Sequence, residues 1–234
     1  MSPIKFKLCI KMLIPFKKYN IGNLRIEITN EELKRIGRIL IIDDEKPDTL
    51  MIPLMKNGFS IDYYEDILPE NLIIVAEPQY DLILLDYGNV GTKIGPDEGY
   101  SILEHIKRNN VYSIVYAYTS KSLNARQSEF YTKSDGTLPK DAGIAESIQI
   151  LEEGLKKCIN IENCWKSFIK SQNVVLNSKR DYELQNMYVR SLFNRNKMHQ
   201  FRNNYKFNGM DVTKNITFII VEKLFELGIK SLLI

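Results

Sequence analysis

The sequence predicts an α/β fold, a doubly wound parallel sheet of five strands, with a mainly helical segment after it. Three observations predict it. Apolar runs of strand length recur through the middle of the chain. Stretches with helical periodicity separate them, the rhythm of βαβ units. The runs are near-continuously apolar rather than alternating, as in a parallel sheet covered on both faces.

Each element follows from local residues. Residues 38–43 (RILIID) form the first β-rich run and meet a carboxylate pair, Asp43 and Asp44. Residues 47–56 suit a helix that Gly58 stops. Residues 59–64 (FSIDYY) read as the second strand. Residues 71–76 are read as a short helix, although 72–75 would equally suit a strand. Residues 81–86 (DLILLD) form a buried-type third strand ending in a carboxylate, followed by a loop with Gly88, Gly91 and Gly95. Residues 98–108 give an amphipathic helix with Ile102, Leu103 and Ile106 on one side. Residues 113–119 (SIVYAYT) are the fourth strand, 123–132 a helix, 136–140 (GTLPK) a short fifth strand, and 142 onward a further helix through Ile148, Leu151 and Leu155. Pro139 is tolerable because the fifth strand lies at an edge.

Composition sets the outer bounds. Of 234 residues, 44% are hydrophobic, 26% charged and 10% aromatic, which excludes a wholly disordered, collagen-like or disulfide-stapled chain. The apolar-rich run 216–234 contains Glu222, Lys223, Glu226 and Lys230, which argues against a membrane-spanning helix. Lys5, Lys7 and Lys11 interrupt the apolar start, so no signal peptide is expected. Cys9, Cys158 and Cys164 suggest neither a disulfide framework nor a zinc site, and a cytoplasmic location is the expectation. The net charge of +3 conceals +5 in residues 1–37, −10 in 38–154 and +8 in 155–234. An acidic centre between basic flanks implies different work for the segments.

In a parallel sheet with right-handed crossovers the C-terminal ends of the strands share one edge, where ligands bind at the switch in strand order. The polar residues that end the strands are Asp43 and Asp44, then Asp86, then Thr119 and Ser120, then Lys140. Three converging carboxylates repel one another, and a hard divalent cation relieves them. Magnesium suits this set, since it takes oxygen ligands and needs only a few carboxylates beside a phosphate oxygen. Lys140 adds a fixed positive charge and Thr119 a hydroxyl, a setting fit for a phosphoryl group transferred to the Asp86 carboxylate.

These residues resemble the receiver domain of two-component response regulators, the CheY-like family. The likeness rests on RILIIDDE, DLILLD at Asp86, YTS at Thr119 and Ser120, and Lys140, in that order along residues 38–157. It implies a flavodoxin-like sheet of order 2-1-3-4-5. It implies that Asp86 is the phosphoacceptor, that Asp43, Asp44, Asp86 and the Gly88 carbonyl hold Mg2+, and that Thr119 and Lys140 contact the phosphoryl group. A histidine kinase or phosphotransfer protein would be the donor. The domains implied are an N-terminal extension (1–37), the receiver (38–157) and a helical output or interaction segment (158–234).

The sequence departs from the family in its read-out. The helix-starting glycine matches Gly99, thirteen positions after Asp86, with an insertion at about residues 89–96. Proline precedes lysine at Pro139-Lys140, and Thr137 stands where the family carries an aromatic switch residue on the fifth strand. Tyr116 and Tyr118 are the candidates to replace it. The alternatives to a phosphorylated regulator are a phosphorylation-independent dimerisation or docking scaffold and a standalone phosphate sink.

The loop glycines do not fit a Walker phosphate loop, since Gly91 is followed by Thr92-Lys93 at the wrong spacing. His105 and His199 read as solvated helix residues and Trp165 as a packing anchor. Strands are expected around residues 5–16 and 24–28, and a short helix at 31–36 capped by Thr29 or Asn30. In the C-terminal segment Asp181 would cap a helix, and Gly209 marks a break. The positive charge of this segment would suit nucleic acid, or a solvated face around a dimerising or partner-binding helical domain.

Overall fold

The computed structural model describes residues 28–110, 112–120, 125–160 and 163, with 125–127 described by backbone alone. The expectations for residues 5–16, Trp165, Asp181, His199 and Gly209 lie outside the described residues, as do those for 24–28 save Ile28. The residues Asn30–Ile159 form one compact unit.

Its elements run α1 (Asn30–Ile36), β1 (Arg38–Ile42), α2 (Asp48–Lys56), β2 (Ser60–Tyr64), a 3-10 turn (Pro69–Asn71), α3 (Ile73–Ala76), β3 (Leu82–Leu85), α4 (Gly99–Asn109), β4 (Ile114–Thr119), α5 (Ala125–Lys133), β5 (Gly136–Pro139) and α6 (Ile144–Cys158). The five strands are all parallel in the order β2-β1-β3-β4-β5, the flavodoxin-like arrangement. Of the ambiguous stretch 72–75, residues 73–75 lie in α3 and Leu72 is its N-cap. Pro69 sits in the first turn, where a missing N–H costs nothing, and the Ala76 and Glu77 amides close the turn on Leu72 and Ile73.

The two sheet faces read directly from strand alternation. Leu40, Ile42, Ile83, Leu85, Val115 and Ala117 form one face and share a buried cluster with Val75, Ile102, Leu103, Ile106 and Phe130 from α3, α4 and α5. The opposite face carries Ile39, Ile41, Leu82, Leu84, Tyr116, Tyr118 and Leu138, all buried. There α6 packs so closely that a Cβ at Gly154 would lie 3.1 Å from the Tyr116 hydroxyl.

Helix α1 belongs to the same unit. Leu33 and Ile36 are buried, the Lys34 ammonium meets Glu152 of α6 at 2.9 Å, and the Asn30 amide donates to Glu152 at 2.5 Å. Asn30 is the first helical residue, and its side chain is spent on α6.

The two aspartates bracketing β3 do opposite work. Asp81 is fully buried at the N-terminal edge of the sheet. It accepts the Arg38 amide at 2.7 Å and the Tyr112 hydroxyl at 2.5 Å, so it ties β1 and the approach to β4 together. The Cys158 thiol, buried at the end of α6, lies 3.8 Å from the same carboxylate. Asp86 follows β3 at the other edge. Among the described residues no helix is long and apolar enough to cross a membrane.

Candidate functional site

The register brings the candidate residues to one edge. Ile42 pairs with Leu85 and Leu85 with Ala117, so Asp43 and Asp86 each stand one residue past matched strand ends. The ladder continues through them. The Asp43 amide donates to the Tyr64 carbonyl at 3.2 Å and the Asp86 amide to the Ile42 carbonyl at 2.9 Å. Strand β4 runs two residues beyond Ala117, and Thr119 pairs with Pro139, so Lys140 emerges beside it. The Lys140 amide donates to the Thr119 carbonyl at 3.0 Å.

Asp43, Asp44 and Asp86 each offer a carboxylate oxygen, and these atoms all lie within 4.8 Å of one another. Asp43 is 1% exposed and Asp86 8% exposed, while Asp44 is half-buried. The Lys140 ammonium bridges the inner pair, 2.7 Å from Asp43 Oδ2 and 2.8 Å from Asp86 Oδ2. Backbone N–H groups hold the remaining oxygens: Glu45 donates to Asp43 Oδ1 at 2.9 Å and Tyr87 to Asp86 Oδ1 at 2.7 Å. The Tyr63 hydroxyl donates to the Asp43 carbonyl at 2.9 Å.

Burial pushes the Asp86 carboxyl above the usual aspartate range, against the pull of Lys140, and the Asp43 charge adds to the rise. Burial works to lower the Lys140 ammonium, but its contacts with Asp43 and Asp86 outweigh it and raise the group. The Tyr118 phenol is raised by burial and by the Asp43 charge. One lysine thus serves two carboxylates while a third stands nearby. An all-oxygen, partly open donor set of this kind fits a hard divalent cation.

Local backbone explains the approach to Asp86. Gly99 opens α4 with its amide donating to the Tyr87 carbonyl at 2.9 Å, and a Cβ there would lie 2.1 Å from the Asp86 carbonyl oxygen. Only glycine admits that approach. Gly88 is half-buried in the turn just after Asp86, and a Cβ on it would meet nothing within 4 Å. The insertion is bracketed by two non-glycine residues at positive φ, Asn89 (58°) and Glu98 (51°). They face one another, the Asn89 amide N–H donating to Glu98 Oε2 at 3.3 Å. The Asn89 side-chain amide donates to Asp44 Oδ2 at 2.8 Å, so the inserted loop touches the acidic cluster itself. Gly91, also at positive φ (72°), donates its N–H to Asp66 at 2.5 Å.

The tyrosines of β4 face away from α4 and α5. The Lys140 ammonium lies 5.3 Å from the Tyr118 ring centroid, and Tyr116 packs toward Gly136 and Gly154. Thr137 is exposed on β5. The aromatic that meets Thr119 is Tyr131 of α5, whose hydroxyl donates to Thr119 Oγ1 at 3.0 Å. Sequence reading did not single it out. The adjacent Phe130, apolar and fully buried, marks the inward side of the helix, but nothing in one sequence pairs Tyr131 with a residue twelve positions earlier. Ser120 is exposed and offers its carbonyl to the Thr119 hydroxyl at 3.1 Å. His105 is half-buried on α4, where burial and then Arg108 lower its imidazole.

No protein-family model matches the chain, and no curated protein matches its sequence. Similar solved structures exist. A CheY-like response regulator receiver domain from Methanospirillum hungatei is 19% identical with a TM-score of 0.43, covering 52% of this chain and 94% of its own. The signal receiver domain of a LuxO repressor protein from Vibrio parahaemolyticus is 17% identical with a TM-score of 0.43, covering 52% and 92%. A two-component response regulator from Clostridium difficile is 23% identical with a TM-score of 0.41, covering 52% and 97%. Each of these three, a receiver domain or a response regulator, is matched over about half of this chain.

Proposed function

We propose that the unit around this site is the receiver of a two-component response regulator, which accepts a phosphoryl group on Asp86 with Mg2+. The observation that carries the reading is the meeting of Asp43, Asp44 and Asp86 oxygens within 4.8 Å, with Lys140 bridging two of them. Bound magnesium would supply charge neutralisation at the carboxylates and at the incoming phosphoryl oxygens. Asp43, Asp44, Asp86 and the Gly88 carbonyl would hold it.

The chain's own groups divide the remaining work. An Asp86 oxygen forms the new P–O bond as the donor's bond to phosphorus breaks, and the donor leaves with that electron pair. Lys140 holds Asp86 in place before transfer and can follow the phosphoryl oxygens afterwards, keeping Asp43 paired throughout. Thr119 offers a hydroxyl donor from the neighbouring strand end. The donor in the cell is a histidine kinase or phosphotransfer protein, and the site of action the cytoplasm. Residues 158–234 carry the output, through nucleic acid, a second copy of the chain or another protein.

Incubating the full chain with a small acyl phosphate, with and without magnesium, and measuring intact mass tests the reading. One added phosphoryl group that requires magnesium is the expected result. A folded chain that stays unlabelled is a phosphorylation-independent docking scaffold, and the reading fails.

A further inference from the structure

The Thr119 hydroxyl is already committed. It has one proton and two lone pairs. The proton goes to the Ser120 carbonyl at 3.1 Å, and a lone pair accepts the Tyr131 hydroxyl at 3.0 Å. Among the described residues neither Asp86 nor Lys140 hydrogen-bonds that hydroxyl; both are held in their own ion pair at 2.8 Å. The hydroxyl expected to meet a phosphoryl group therefore rests in bonds directed elsewhere.

Tyr131 is also mechanically joined to Asp86. Its ring stands edge-on to Phe130, with centroids 6.0 Å apart and planes at 75°. Phe130 is fully buried and stands edge-on to Tyr87, at 5.5 Å and 74°. Tyr87 directly follows Asp86, and its amide holds Asp86 Oδ1 at 2.7 Å. Two residues past Tyr131, Lys133 ties the end of α5 to Glu104 on α4 at 3.4 Å. One helix thus grips the candidate phosphoacceptor through packed rings and its neighbouring hydroxyl through a hydrogen bond.

We propose that Tyr131 is a positioning residue for Thr119: its phenol holds the Thr119 hydroxyl in the resting direction, and α5 gives up that bond when the hydroxyl turns to a phosphoryl group on Asp86. This rests on the phosphoacceptor reading above. The coupling partner then comes from α5 and not from β5, where Thr137 is exposed and has no ring. A modification shifts an equilibrium only through contacts that differ between the two states. The Tyr131 bond is such a contact, present before transfer and surrendered after it.

The test is a double-mutant cycle on the full chain, labelled by acetyl phosphate and magnesium at limiting donor and followed by intact mass. Tyr131→Phe keeps the ring against Phe130 and removes only the hydroxyl. It should raise the steady-state ratio of labelled to unlabelled protein roughly fivefold, the factor set by one ordinary hydrogen bond. In a Thr119→Val background the same change should have no effect, and in a Thr119→Ser background the effect should return. Labelled wild type with an unchanged Tyr131→Phe ratio overturns the proposal and leaves the phosphoacceptor reading standing. An equal effect in the Thr119→Val background also overturns it, since packing and not the hydroxyl pair would be responsible. Wild type that takes no label overturns both.

Discussion

An ammonium 2.7 Å from Asp43 and 2.8 Å from Asp86 offsets the repulsion of two nearly buried carboxylates. Lys140→Ala leaves that repulsion uncompensated and should cost about 2 kcal/mol, between the values for exposed and buried pairs. Magnesium should then raise the unfolding midpoint of Lys140→Ala more than that of wild type, read by urea titration with and without the ion. Asp44 is more open, is held by Asn89 at 2.8 Å and faces the cluster from the outer side. Asp44→Ala should weaken magnesium binding roughly tenfold or more, measured by calorimetry. Unchanged affinity would remove Asp44 from the site. At this scale the acidic residues and Lys140 were legible because each ends a strand and carries charge. Tyr131 was not, because its meaning lies in a contact between a helix and a strand end.

Elements place these residues through backbone geometry as much as through side chains. The start of α4 approaches β3 so closely that a Cβ at Gly99 would overlap the Asp86 carbonyl. Gly99→Ala should therefore destabilise the unit by about 3 kcal/mol, as overpacking of a tight contact does, and reduce labelling at Asp86 along with stability in a urea titration. The same substitution at Gly88, where a Cβ meets nothing, should be nearly neutral for stability. The strands were legible as short apolar runs, and helices α2, α4 and α6 as periodic stretches with breakers at their ends. The run 72–75 was not decidable by periodicity, and the proline at 69 and the returning hydrogen bonds of residues 76 and 77 settle it as helix. The two ends of DLILLD look alike in sequence, yet Asp81 accepts the Arg38 amide at one edge of the sheet and Asp86 joins Asp43 and Asp44 at the other. Only the direction of the parallel strands separates them.

On the scale of the molecule, Asn30–Ile159 is a compact unit whose five parallel strands all end at one edge of the sheet. Helix α1 is part of that unit, with Leu33 1% and Ile36 4% exposed. A fragment of residues 30–159 should unfold cooperatively on its own, whereas one starting at residue 38 should lose roughly 3 kcal/mol from the apolar surface of those two side chains. Circular dichroism in urea compares the two. The strand order came from resemblance and not from periodicity, since parallel apolar runs do not state their neighbours. The acidic middle and basic ends of the chain, −10 against +5 and +8, were plain in the sequence.

The central claim is that Asp86 takes the phosphoryl group, and peptide mass spectrometry after labelling with acetyl phosphate and magnesium tests it most directly. The account predicts that the mass of one phosphoryl group falls on Asp86 in wild type and that Asp86→Asn carries none. Label retained in Asp86→Asn, or mapped to another residue of the wild-type chain, would contradict it.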